Sequence, residues 1–358
     1  MKSFVLLAGA RPNFIKIAPL YAALVDRGCS VYLVHTGQHY DELMSDIFFR
    51  DLQIPAPDLN LGIGSGDRIT QKRKILNALT PVLVERKPDA LVVVGDVMST
   101  FAGAIAGVQA GIPVVHVEAG LRSFNWQMPE ELNRVATDHL SSILLVSDPS
   151  GLGYLKQESI PSERVHLVGN VMIDTQRQYE ALSDKSGVLN ALGLAPSSYA
   201  LVTLHRPETV DQPDVLKVVI DALNQVATRI PLLFPVHPRT REKLLALGVP
   251  LHPSFRLLEP QGYLDMMHLT KRARFAITDS GGLQEETTTL GIPCITVRDQ
   301  TERPVTVTIG TSEVVGRDPQ KIIAAVNRVL EGTWKKGGIP ELWDGHTAER
   351  IVDVLIRS

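Results

Sequence analysis

The chain has 358 residues, 44% hydrophobic and 21% charged, with a formal net charge of −3. That length exceeds one ordinary domain and the composition supports a real core, so two domains are expected. The acidic balance excludes nucleic acid or an anionic membrane as the main partner, since both select for basic surfaces, but it leaves room for a small positive pocket.

The first apolar run, residues 4–8, meets Arg11 and Pro12 too soon for a secretory segment and reads as a buried strand. No stretch approaches about 18 uninterrupted apolar residues, so no membrane span is expected and the protein is placed in the cytoplasm. Cys29 and Cys294 lie far apart in apolar runs. They read as reduced thiols, with neither a disulfide framework nor zinc spacing.

Further runs follow at 31–35, 90–94, 114–117 and 143–147, then at 199–204, 232–236, 255–258, 275–278 and 294–297. They are too short for helices, and longer stretches of helical period separate them. Strands that are apolar throughout are buried on both faces, as in a parallel sheet covered by helices. The fold class is therefore α/β, with two doubly wound domains: 1–172, 173–340, and a terminal amphipathic helix in 341–358.

In open parallel sheets ligands sit beyond the carboxyl ends of the strands. The residues just after these runs include Arg11, Gln38, His39, Asp96, Glu118, His205, Arg206, His237, Glu259, Asp279, Ser280 and Arg298. Acids, histidines and arginines at one edge of both domains point to a single interdomain cleft.

Three features carry the chemistry. Gly9-Ala10-Arg11 opens a helix after the first strand, where free N–H groups, Arg11 and Lys16 suit a phosphate; a solvated turn is the bland alternative. Asp279-Ser280-Gly281-Gly282-Leu283-Gln284-Glu285-Glu286 makes a second such turn, with Ser280 as N-cap and bare backbone at Gly281 and Gly282. Glu286 is placed to accept a ribose hydroxyl pair. The spacing is neither a Walker motif nor G-x-G-x-x-G, so a nicotinamide cofactor is not supported. The third feature is a carboxylate set of Asp96, Glu118, Glu130 and Glu131, suited to general acid/base work, although Pro129-Glu130 is also what a plain helix start looks like. His205 with Arg206, and His237, occupy strand ends in the second half. No cluster has the spacing of a metal site, so neither metal nor other cofactor is expected.

Gly9-Ala10-Arg11-Pro12, Thr36-Gly37-Gln38-His39, Gly95-Asp96, His116-Val117-Glu118-Ala119-Gly120-Leu121-Arg122, Pro129-Glu130-Glu131 with Asn133-Arg134, Gly169-Asn170, His205-Arg206, the Asp279-to-Glu286 turn, and Arg298-Asp299 with Thr301-Glu302-Arg303-Pro304 occur in this order. Together they resemble the non-hydrolysing UDP-N-acetylglucosamine 2-epimerase family. The resemblance implies a GT-B architecture of two Rossmann-like domains, with UDP held mainly by the C-terminal one and the terminal helix returning to the first. It implies inversion at C2 of UDP-N-acetylglucosamine through anti elimination of UDP to a 2-acetamidoglucal, then re-addition. Asp96, Glu118, Glu130 and Glu131 would be the acid/base group, with His205 at the diphosphate or the leaving oxygen. Arg11, Ser280, Gly281 and Gly282 would hold the diphosphate, and Glu286 the ribose. A second, regulatory UDP-GlcNAc would meet Gln38, His39, Arg206 and His237, and a homodimer is the family expectation. Two positions depart from the family pattern: Val97-Met98 follow Gly95-Asp96, and Pro207 follows His205-Arg206 where arginine is common. Epimerases of UDP-diacetamido uronic acids share these motifs. A hydrolysing 2-epimerase, a GT-B glycosyltransferase and a non-catalytic UDP-sugar sensor are the competing readings.

Overall fold

The computed structural model describes residues 1–9, 11–37, 51–64 and 66–357, without the side chains of Arg11 and Pro12. Gln38 and His39 lie outside the described residues. The chain divides into two compact units, 1–178 with 341–358, and 179–340. The helix Val171–Ser183 runs across the division expected at 172/173, so the units part within a helix instead of at a loop.

The first unit is built on seven parallel strands: β1 (Ser3–Ala8), β2 (Ser30–His35), β3 (Leu59–Asn60), β4 (Ala90–Val94), β5 (Val114–Ala119), β6 (Ile143–Val146) and β7 (Val165–Leu167). Their order is β3-β2-β1-β4-β5-β6-β7. All five residues of β4 and all six of β5 are buried, as expected of central strands covered on both faces. Helices Arg68–Arg86, Met98–Gln109 and Pro129–Leu140 pack side by side, while the terminal helix Thr347–Arg357 lies along Arg11–Asp26. That terminal helix buries Ala348, Ile351, Val352 and Leu355 on one stripe. Its first turn is capped from within the unit, the Ala348 N–H donating to Asp174 Oδ2 at 2.6 Å.

The second unit repeats the plan with six parallel strands: β8 (Ala200–Thr203), β9 (Leu232–Pro235), β10 (Phe255–Leu258), β11 (Phe275–Thr278), β12 (Cys294–Thr296) and β13 (Ser312–Val314). The order β10-β9-β8-β11-β12-β13 matches the first six strands of the other sheet place for place. In each unit the chain reverses its winding beside the first strand, between β1 and β4 and between β8 and β11. Ligands of doubly wound sheets bind at such switch points.

Three strands are absent from the sequence reading: β3, β7 and β13. Each has two or three residues and lies at a sheet edge. Edge strands bury less surface and so need no unbroken apolar run. Cys29 is half-buried, Cys294 buried, and both are free thiols. Among the described residues no helix is long and apolar enough to cross a membrane.

Candidate active site

The switch point of the first unit is pinned by Asn13, in the first turn of helix Arg11–Asp26. Its Oδ1 accepts the Gly9 N–H at 3.0 Å and its Nδ2 donates to Val94 O at 2.9 Å, tying the ends of β1 and β4 together. Gly9 has to be glycine, because a Cβ there would lie 2.2 Å from Ser99 Oγ. The helix that begins at Met98 therefore sits directly on the β1 turn. Its N-cap, Val97, offers no side-chain hydrogen bond, while Thr100 Oγ1 donates back to Val94 O at 2.8 Å.

Asp96 follows β4 and is half-buried. Arg134 grips its Oδ2 through Nε at 3.0 Å and a terminal nitrogen at 2.6 Å. Glu118, the fifth residue of β5, has a φ of +75°, a conformation that costs energy for any residue with a Cβ. The pairing of β5 with β6 shifts register there, between Val117 and Ala119. This bulge re-aims the Glu118 carboxylate, which forms a buried ion pair with Lys16 Nζ. The Lys16 ammonium, whose sequence position suggested a phosphate, is thus paired with Glu118.

Glu130 and Glu131, adjacent in the first turn of helix Pro129–Leu140, have opposite surroundings. Glu131 is fully buried, accepting from the Ser123 N–H (2.9 Å), Ser123 Oγ (2.8 Å), the Phe124 N–H (2.8 Å) and Arg134 (2.6 Å). It closes the loop 121–128 and orients the arginine that grips Asp96. Glu130 is half-buried, and its carboxylate makes no hydrogen bond or ion pair among the described residues.

In the second unit, His205 follows β8, and its ring is half exposed. Ser280 caps helix Gly281–Leu290, its Oγ accepting the Leu283 N–H at 3.4 Å. A Cβ on Gly281 would come within 2.8 Å of Glu302 Oε1, so bare backbone is required at this turn. Glu286 lies in the second turn of that helix; burial, with Glu285 beside it, pushes its carboxyl up to about 7. Beneath the turn, Glu302 lies 2.8 Å from Arg298, 3.1 Å from Arg303 and 3.4 Å from Arg206. His237 is exposed and serves as an N-cap, its Nδ1 accepting the Arg239 N–H at 3.3 Å. Pro207 occupies the first position of the short helix Pro207–Val210, where its missing N–H costs nothing.

The structure places Asp96 and Glu118 at strand ends of one sheet, with Glu130 in the first turn of the helix that follows β5; in the other unit His205, Ser280 and Gly281 follow strand ends and Glu286 lies on the helix that Ser280 caps. Arg11 starts its helix, with its side chain outside the description. Residues that sequence reasoning gave no role are Asn13, His116, Arg134, Asp138 and Asp279, all buried and all bonded to the turns above. Among the described residues no cluster of three or more His, Cys, Asp or Glu is placed to hold a metal ion.

A family model described as UDP-N-acetylglucosamine 2-epimerase matches residues 23–356. The chain belongs to the UDP-N-acetylglucosamine 2-epimerase family. It is 38% identical over 366 residues to the UDP-N-acetylglucosamine 2-epimerase of Methanocaldococcus jannaschii, covering 99% of each chain. It is equally identical, 38% over 357 residues and 98% of each chain, to the UDP-2,3-diacetamido-2,3-dideoxy-D-glucuronate 2-epimerase of Pseudomonas aeruginosa. The crystal structure of the M. jannaschii enzyme in complex with UDP-GlcNAc and UDP superposes with a TM-score of 0.91 at 38% identity, covering 100% of both chains. Membership of this epimerase family makes the protein an isomerase and gives its pair of parallel sheets the GT-B-like fold of its structural neighbours.

Proposed function

We propose that the protein inverts C2 of UDP-N-acetylglucosamine to give UDP-N-acetylmannosamine. The C2 proton passes to a carboxylate while the C1–O bond breaks with its electron pair going to UDP, leaving a 2-acetamidoglucal. Protonation at C2 from the other face and return of UDP to C1 complete the inversion. Proton and leaving group both come back, so the balance needs no cofactor.

One observation carries this reading: Asp96 and Glu118, at the ends of adjacent strands, are each held by a different buried cation, Arg134 and Lys16. Two carboxylates can then stand as neighbours with little mutual repulsion, as removal and return of a proton on opposite faces requires. A glycosyltransferase or a sensor has no need of that pair. Glu130 is the third acid and Glu131 its structural neighbour, while Lys16 serves Glu118 in place of the diphosphate. Arg11 of the first unit is a proposed diphosphate contact; in the second unit Ser280, Gly281 and Gly282 are proposed as diphosphate contacts, with His205 at the leaving oxygen and Glu286 at the ribose. Arg206 and His237, with Gln38 and His39, remain the proposed contacts of a second UDP-GlcNAc, and the assembly is proposed as a homodimer.

The equal identity to the diacetamido-glucuronate enzyme favours a second substrate, the corresponding UDP-diacetamido uronic acid. Incubation with each nucleotide sugar and separation of the products tests both. An epimerised nucleotide sugar supports the reading for that substrate, free N-acetylmannosamine with UDP indicates hydrolysis, and unchanged substrate contradicts it.

A further inference from the structure

Helix Pro129–Leu140 is polar on its inward side. Its buried residues are Glu131, Asn133, Arg134, Thr137 and Asp138, whereas Leu132 is 56% exposed. Positions 131, 134 and 138 fall on one face at helical spacing, so the buried stripe is made of charged side chains. A stripe serving stability alone would be aliphatic, because well-packed hydrophobic residues usually do as well as a buried ion pair or better.

The stripe holds the two turns that bear the acids. Arg134 grips Asp96 directly. Asp138 Oδ1 lies 2.6 Å from His116 Nδ1, and His116 Nε2 donates to Gly95 O at 2.8 Å, immediately before Asp96. Asp138 Oδ2 accepts the Gly120 N–H at 3.1 Å, two residues after Glu118, and meets Arg122 at 2.7 Å. Arg122 is in turn bidentate to Glu158, at 2.6 and 2.7 Å. His116 and Asp138 are wholly buried, so neither reaches a substrate. Burial alone would raise the Asp138 carboxyl, but His116 and Arg122 outweigh it and hold it low. Neighbouring carbonyls are engaged as well: Val94 O by Asn13 and Thr100, and Asp96 O by Asn133 at 2.9 Å.

We propose that His116 and Asp138 are a positioning dyad for the reaction, fixing the spacing of the turns that carry Asp96 and Glu118. The dyad rests on the reading of those two carboxylates as the acid/base pair. Acid/base transfer depends on sub-ångström placement, and a displacement of about 1 Å can cost a hundredfold in rate. Losing the dyad therefore lowers kcat far more than KM.

Two isosteric variants separate positioning from packing. In His116→Asn the amide nitrogen takes the place of Nδ1, keeping Asp138 and releasing Gly95. In His116→Gln it takes the place of Nε2, keeping Gly95 and releasing Asp138. Per folded molecule, kcat should fall about tenfold or more in His116→Asn with KM within about threefold, and His116→Gln should recover part of the loss. Amide exchange at residues 95–97 should speed up in His116→Asn and stay unchanged throughout 179–340. A kcat within twofold of wild type, or unchanged exchange at 95–97, overturns the proposal. If His116→Asn does not fold, Asp138→Asn, which keeps an acceptor for His116 and loses the one for Gly120, gives the same reading at 118–121. A wild type that epimerises nothing would overturn the functional reading, while the exchange comparison still decides the dyad.

Discussion

The buried carboxylate of Asp279 accepts the backbone N–H groups of both His205, at 3.0 Å, and Arg206, at 2.9 Å, and its Oδ1 lies 3.0 Å from the His205 ring. This contact spans β8 and β11, the switch point of the second sheet. Asp279→Ala should destabilise the protein by about 2–4 kcal/mol, since two donors lose their acceptor, as read by chemical unfolding. Asp279→Asn should lower kcat, and adding it to His205→Asn should cost less than about threefold more, because the first change acts through the second residue. Fully additive losses would give Asp279 a separate role.

Asp96→Asn and Glu118→Gln should each reduce kcat by about 10²–10⁴-fold and leave UDP affinity within a few-fold of wild type. Steady-state kinetics beside calorimetric titration of UDP makes the comparison. Either variant retaining near-full rate would remove that residue from the acid/base pair.

Glu130 and Glu131 should part company. Glu131→Gln leaves Arg134 short of one buried partner and should cost about 3–5 kcal/mol of stability. Glu130→Gln should unfold within about 0.5 kcal/mol of wild type and lose turnover instead. Denaturant unfolding and kcat, measured on both variants, check the assignment; the reverse pattern would exchange the two roles.

Glu286 predicts a pH signature. Its carboxyl, pushed up to about 7 from an ordinary 4.5, prefers to be neutral in the folded protein. The unfolded chain ionises first, so the free protein loses stability as pH rises from about 4.5 to 7, and the loss, about 3 kcal/mol at most, is complete above 7. A ribose hydroxyl pair donates to the ionised form, so UDP-GlcNAc should bind with release of a proton. Its affinity should fall up to about tenfold per pH unit below 7 and level off above. Calorimetry in buffers of different ionisation heat reads the proton. A flat profile equal to that of Glu286→Gln would contradict the ribose assignment.

The central strands were legible because burial on both faces leaves no room for polar residues. All five residues of β4 show it, and the half-exposed β7 shows why three of the four edge strands were not, β10 being the exception. The positions of Asp96 and Glu118 at the ends of β4 and β5 were legible from the apolar runs that precede them. The residues that hold them were not, because Arg134 meets Asp96 across 38 positions and Asp279 meets His205 across 74. Such pairs leave no local period. One signal was present: charged residues at 131, 134 and 138 with Leu132 off the stripe mark a helix whose polar side faces inward. The same helical phase separates Glu130 from Glu131, which grouping the carboxylates by type treats alike. The pair of Lys16 with Glu118 was not legible, because Glu118 turns through a left-handed backbone conformation that no sequence pattern announces.

In the proposed reaction the carboxylates of the first unit remove and return the proton on C2. Incubation of the full chain with UDP-N-acetylglucosamine in D2O, followed by proton NMR, measures that step directly. The expected product is UDP-N-acetylmannosamine carrying deuterium at C2, with the label also entering the remaining substrate as the reaction turns over. Epimerised product that keeps its original C2 proton would contradict it.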